Sequence, residues 1–247
     1  MTSFKEEIRS YWDLDSATYD ESRGHNPRTA LERAVWAGTL ARLLPPAPAK
    51  VLDVGAGTGF LSVLLARLGY EVTALDLSPG MLERLRHNAT NAQVKVMTIE
   101  GDAADPPKGQ FDAVVERHLL WTLPDPGEAL EAWQKVAPRG RLVLLESLWG
   151  SAGGRAEQWR SSGHRMLRRL RGEHSDHHAE YEEVLRAELP LGAGTSPEQL
   201  VDLVESSSWG LARIERLCDI EWATRSALPA FVDRALGVAP RFAVIAG

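Results

Sequence analysis

Short, nearly unbroken apolar runs mark out five strands: VLDVG at 51–55, EVTALDL at 71–77, VKVMTIEGD at 94–102, FDAVVER at 111–117 and RLVLLESL at 141–148. Between them, apolar positions recur at helical spacing over 58–68, 78–89 and 126–137, with Gly69 just past the first helix and Ser78 as N-cap of the second. Strands that are apolar on both sides, alternating with helices, predict a parallel sheet covered on both faces, and right-handed crossovers make it doubly wound. Residues 4–44 read as helices, with Leu31, Val35, Trp36 and Leu40 at helical spacing before PPAP ends the segment. Further along, SPEQLVDLVESS (196–207) reads as a capped helix, and ARIERLCDIEWA (212–223) and RFAVIAG (241–247) as two closing strands. The pattern predicts an α/β fold: a doubly wound, mostly parallel seven-stranded sheet with a helical N-terminal segment and a helical lid insertion.

The 247 residues are 44% apolar, enough for one core. The 28 basic and 34 acidic residues give a net charge of −6, so a nucleic-acid partner is not expected. No apolar run approaches the roughly eighteen residues needed to span a bilayer, and MTSFKEEIRSYW has no signal-peptide core, so the expected location is the cytoplasm without membrane attachment. The single Cys218 permits neither an internal disulfide nor a cysteine-based zinc site. His174, Asp176, His177 and His178 cluster in sequence, but near-adjacent ligands seldom converge on one ion, and no metal is expected. Trp159, Met166, Leu167 and Leu170 form one face of an amphipathic basic helix in the lid, suited to cover a pocket or to form a homodimer.

VLDVGAGTGF (51–60) is the strongest local signal: a strand, a glycine-rich turn and a helix. Gly55, Gly57 and Gly59 permit a tight turn and close approach of a ligand to the backbone. The dinucleotide fingerprint would place a small residue where Phe60 stands. Asp53 would repel a pyrophosphate but suits an ammonium group. The charges therefore favour S-adenosylmethionine, which has an amino-acid tail and no phosphate, over a nicotinamide dinucleotide.

This stretch resembles the first motif of the class I (Rossmann-like) S-adenosylmethionine-dependent methyltransferases, and the likeness continues in order over residues 10–150. It implies Asp76 and Leu77 at the ribose, Met81 on the adenine, Asp102 and Ala103 at the adenine edge, and Tyr19 and Arg117 near the methionine tail. FDAVVERHLLWTLPDP (111–126) resembles the fourth motif. VAPRGRLVLLE (136–146) resembles the fifth, with Arg139-Gly140 where the family has paired glycines. The resemblance implies one methyltransferase domain over 1–247: a helical cover (1–48), a cofactor-binding core (49–149), a lid (150–195), and a C-terminal helix with closing strands (196–247).

The implied reaction is in-line SN2 transfer of a methyl group to an O or N atom of a small-molecule acceptor. His118, just past the fourth strand, and His25 are candidate general bases. Tyr11, Trp12 and Trp121 are candidates for the acceptor pocket. Arg117 has two other readings: a clamp on an anionic acceptor, or a partner of Glu116 or Glu146. Two competing functions are an NAD(P)-dependent oxidoreductase and a non-catalytic S-adenosylmethionine-binding protein.

Overall fold

A computed structural model describes residues 4–21, 25–148, 187–228 and 237–247. Most of the expected lid, including its arginines and the His174–His178 group, lies outside these residues. The N-terminal helices are α1 (Phe4–Asp15) and α2 (Ala30–Leu43). Strand and helix then alternate through β1 (Lys50–Val54), α3 (Phe60–Arg67), β2 (Glu71–Asp76), α4 (Pro79–Asn91) and β3 (Met97–Glu100). There follow β4 (Ala113–Arg117), α5 (Pro126–Val136), β5 (Arg141–Ser147), α6 (Pro197–Glu205), β6 (Ala212–Arg216), α7 (Cys218–Ser226) and β7 (Arg241–Ala246).

The seven strands form one sheet in the order β3-β2-β1-β4-β5-β7-β6. β1 to β5 pair in parallel, and β7 runs antiparallel to both β5 and β6. Two cores sandwich the sheet. Val51, Val115, Val143, Leu145, Ala243 and Ile245 pack with Trp36 and Leu40 of α2 and Phe60 and Leu65 of α3. Their strand neighbours Leu52, Val114, Leu142, Leu144 and Val244 pack instead with Leu130 and Trp133 of α5 and Leu200 and Val204 of α6. Successive strand residues point to opposite faces. The same alternation sorts the charges at the strand ends: Arg117 and Arg241 continue the α2/α3 face, Glu116 and Glu146 the α5/α6 face.

Ser78 caps α4 as expected, accepting from the Met81 amide at 3.0 Å, a contact worth about 1 kcal/mol. Two segments differ from the sequence pattern. The strand expected over 212–223 ends at Arg216, and Cys218–Ser226 is helical. Its buried residues Ile220 and Ala223 continue a three-residue period from the preceding Leu217 and face α2, where the Thr39 hydroxyl donates to Asp219 at 2.7 Å. The strand expected over 94–102 is shortened to Met97–Glu100, because the Val94 amide turns back to Ala89 O and the Gly101 amide to Asp76 O.

Candidate active site

The turn after β1 requires glycine. Gly55 and Gly57 have φ of 65° and 53°, in the left-handed region that other residues enter at a cost. A Cβ on Gly55 would stand 2.7 Å from the Leu119 side chain, whereas one on Gly57 would meet nothing within 4 Å and enter open space. The Gly57 amide donates to Asp76 Oδ2 at 2.7 Å, and the Ser78 amide donates to Oδ1 at 2.9 Å. One carboxylate thus fastens the turn after β1 to the turn after β2.

A cavity of about 810 Å³ lies above this junction. It brings together Gly55, Gly57, Asp76, Leu77, Met81, Asp102 and Ala103 with Trp12, Tyr19, Arg117 and His118. A smaller recess of about 310 Å³ shares Tyr19, Gly55, Gly57 and Arg117 and reaches Asp53. Gly59 lines neither; its Cβ position is 2.6 Å from Leu85, so this glycine serves the packing of α3 on α4. His25, Tyr11 and Trp121 do not line the cavity either. His25 stacks on Tyr19 at 3.9 Å, and its Nδ1 lies 2.8 Å from Tyr19 O. Tyr11 packs edge-on against Trp12, and Trp121 sits in the short 3₁₀ turn Leu120–Thr122.

The N-terminal segment closes the cavity from above. Lys5 and Ile8 line it, and Lys5 Nζ donates to Asp102. Asp13 accepts from the Ser78 hydroxyl at 2.5 Å and the Gly80 amide at 3.0 Å, pinning α1 to the start of α4. Asp20 accepts from the Thr58 hydroxyl at 2.5 Å, pinning the next turn to the glycine loop. The sequence reading missed Lys5 and Ile8; their three-residue spacing on a helix, continuing to Trp12, was the available signal.

Burial governs the acids here. It raises Asp76 to about 6 against the two amide hydrogen bonds. It raises Asp53 to about 7, opposed by the Ser62 hydroxyl, which donates at 2.5 Å. Asp102 is also pushed up by burial, but the Lys5 and Ala104 donors outweigh this and hold it below its usual value. A cationic ligand group would favour the ionised form of Asp53. Ala103 is held by the buried Trp133, whose indole N–H donates to its carbonyl at 2.7 Å.

On the other side of the cavity, His118 follows β4 with φ of 59°. Its Nδ1 lies 2.8 Å from Glu146 Oε2 at the end of β5; the imidazole side chain is 29% exposed and the carboxylate fully buried. Burial, then Arg117 and Arg241, push the His118 pKa well down. Burial raises Glu146 to about 8, opposed by Arg117. Burial and the neighbouring Glu146 also hold Glu116 well above its usual value, although its Oε2 accepts the Leu119 amide at 2.8 Å. Oε1 of each glutamate has no hydrogen-bond partner among the described residues. Arg117 stacks on Phe60 at 4.4 Å and on Trp36 at 5.6 Å, and donates to His25 O.

The cavity therefore offers an acceptor for paired hydroxyls at Asp76 and an apolar wall at Met81, and the adjoining recess offers a carboxyl at Asp53. Its glycine turn carries no basic residue for a phosphate.

Residues 52–144 match the family described as Methyltransferase domain. A Ubiquinone biosynthesis O-methyltransferase of Xanthomonas campestris pv. campestris (strain B100) is 35% identical over 146 residues, 58% of this chain and 60% of that protein. A protein of the same name from Xanthomonas euvesicatoria pv. vesicatoria is 40% identical over 106 residues, 41% of this chain and 44% of that protein. The chain thus spans only part of the length of these curated relatives. The fold is shared with magnesium protoporphyrin IX methyltransferase of Synechocystis PCC 6803 with bound S-adenosylmethionine (TM-score 0.58, 15% identity, 100% of this chain and 98% of that one). It is also shared with Haemonchus contortus phosphoethanolamine N-methyltransferase 2 (TM-score 0.63, 16% identity, 100% of this chain and 60% of that one).

Proposed function

We propose that the whole chain is an S-adenosylmethionine-dependent enzyme that methylates an O or N atom of a small metabolite; its residues 52–144 match the family described as Methyltransferase domain. The observation that carries the reading is the cavity joining Gly57, Asp76, Met81 and Asp102 to the His118–Glu146 pair. When bound, S-adenosylmethionine supplies a methyl group activated by a positive sulfur. The residues present fit it: Gly57 leaves space where any side chain would intrude, Asp76 can take paired ribose hydroxyls, and Asp53 is the buried acid that an ammonium would satisfy.

His118 lines this cavity, and its Nε2 has no hydrogen-bond partner among the described residues. With the Glu146 carboxylate accepting from Nδ1–H, Nε2 keeps its lone pair and can take the proton of an acceptor hydroxyl or ammonium. With Glu146 protonated and donating to Nδ1, the ring proton moves to Nε2 and the base is lost. Glu146 is thus the positioning residue that sets the tautomer of His118. The names of the curated relatives favour an oxygen acceptor. Tyr19 and Arg117 border the expected tail position, and Trp12 the acceptor side.

The same reading expects a cytoplasmic enzyme and a homodimer; the lid expected over 150–195 lies mostly outside the described residues. Among the described residues no helix is long and apolar enough to cross a membrane. Calorimetric titration with S-adenosylhomocysteine and with NADH tests the proposal. Binding of the first and not the second is expected; the reverse would replace methyl transfer with redox chemistry. Labelled-methyl transfer to a panel of hydroxylated and amino metabolites then separates an enzyme from a silent binder.

A further inference from the structure

A second cavity of about 630 Å³ opens beside α2 and α7. Its walls include Trp36, Phe60, Thr224, Leu228 and Arg241. Arg241 opens β7 opposite Ser147, so it stands at the same carboxyl edge of the sheet as Glu146. Phe60 also lines the Asp53 recess, and Arg117 stacks upon it, so these two side chains stand between the second cavity and the first. Arg241 is near enough to His118 to depress its pKa.

Arg241 has an unusual balance of charge. Its guanidinium lies 5.8 Å from the Trp36 ring centroid, and no carboxylate reaches it within hydrogen-bond distance among the described residues. Two carboxylates act on it from further off: Glu32, which lines the same cavity with one oxygen in the cap of α2, and Glu221. Glu32 Oε2 accepts the Arg28 and Thr29 amides at 2.9 Å and the Thr29 hydroxyl at 3.2 Å, as the cap of α2. Glu221 takes Arg216 through both oxygens and also accepts the backbone amide of Arg241. Burial and the neighbouring Arg117 bring the Arg241 pKa down to about 10. A desolvated cation beside a like charge is costly unless something pairs with it.

We propose that Arg241 receives an anionic group, a carboxylate or a phosphate, on the methyl acceptor, whose apolar body lies against Trp36, Phe60 and Leu228. The planar fork of arginine suits either anion by two parallel hydrogen bonds. The cavity places such an anion on the far side of Arg117 and Phe60 from Gly57, so an acceptor held there reaches His118 only when these two side chains move aside. This inference rests on the methyl-transfer reading and names the acceptor's chemical class.

The test uses the full chain loaded with S-adenosylhomocysteine, and three fragments as probes: benzoate, phenyl phosphate and benzylamine. Calorimetry is expected to show the two anions binding and benzylamine not. Arg241→Met should weaken anion binding about tenfold or more, the scale of a lost charge-assisted hydrogen bond, and Arg241→Lys should restore part of it. Tighter binding of benzoate than of phenyl phosphate assigns a carboxylate acceptor, and the opposite order a phosphate. Should Arg241→Met fail to fold, a shift of the Arg241 Nε–H resonance on adding benzoate to the unaltered protein serves as the readout. Anion binding that is absent, or unchanged in a folded Arg241→Met protein, or matched by benzylamine, overturns the proposal. Failure to bind S-adenosylhomocysteine at the first step would instead overturn the methyltransferase reading.

Discussion

The two halves of the sheet's carboxyl edge handle their buried polar groups differently. At the β1–β3 half the acids are already engaged: Asp76 with the Gly57 and Ser78 amides, Asp53 with Ser62, and Asp102 with Lys5 and Ala104. At the β4–β5–β7 half, Glu116 and Glu146 each keep one oxygen without a partner, and Arg241 has no acceptor at its guanidinium among the described residues. The first half is a finished mould, whose hydrogen bonds set the shape of the turns before any ligand arrives. The second half stores unmet hydrogen-bonding capacity, which a reacting molecule can use.

Substitutions separate the halves. Gly57→Val should have the largest effect, with no measurable S-adenosylhomocysteine binding by calorimetry, because the branched side chain enters open cavity from a left-handed backbone. His118→Ala should lower kcat by about 10²- to 10⁴-fold, the usual share of a general base, while the S-adenosylhomocysteine Kd stays within about twofold. Asp76→Ala should weaken that Kd by about ten- to a hundredfold, on the scale of lost charge-assisted hydrogen bonds. If His118→Ala lost cofactor affinity as heavily as Asp76→Ala, the division between the halves would collapse.

The smallest effect is a change in pH dependence. Glu146 is raised to about 8, and the active tautomer of His118 needs Glu146 ionised, so kcat should climb with pH through about 8 and level off above it. In Glu146→Gln that limb should vanish, because the amide does not titrate. A profile with the same midpoint in both proteins would remove Glu146 from the proton path.

How far the sequence revealed each half follows the same division. The finished half depends on local pattern: a glycine turn, an acid ending each strand, a capped helix. Such features are contiguous in the chain, so apolar runs and the family resemblance together suffice to put VLDVGAGTGF, EVTALDLSPGM and GDA at the ends of their strands. The motif does not say which glycines face a ligand and which admit a neighbouring helix: Gly59 stands against Leu85, a contact that only the fold reveals. The other half depends on contacts between distant segments. His118 could be picked from its place after β4, but Glu146, 28 residues away, was weighed only as a partner for Arg117. Arg241 looked like the polar start of an ordinary strand. The β6–α7 boundary was lost for a similar reason: Leu217, Ile220 and Ala223 are too few to distinguish a short helix from a strand until α2 supplies their surface.

β7 follows β6 in the chain yet lies inside it in the sheet, between β5 and β6. A chain leaving the ribosome can therefore build the parallel strands as soon as β5 has emerged, while β6 has no strand to pair with until residues 241–246 arrive. The β1–β5 side of the molecule can mature early in synthesis, and the side bearing Arg241 is completed only when that late segment slots into place.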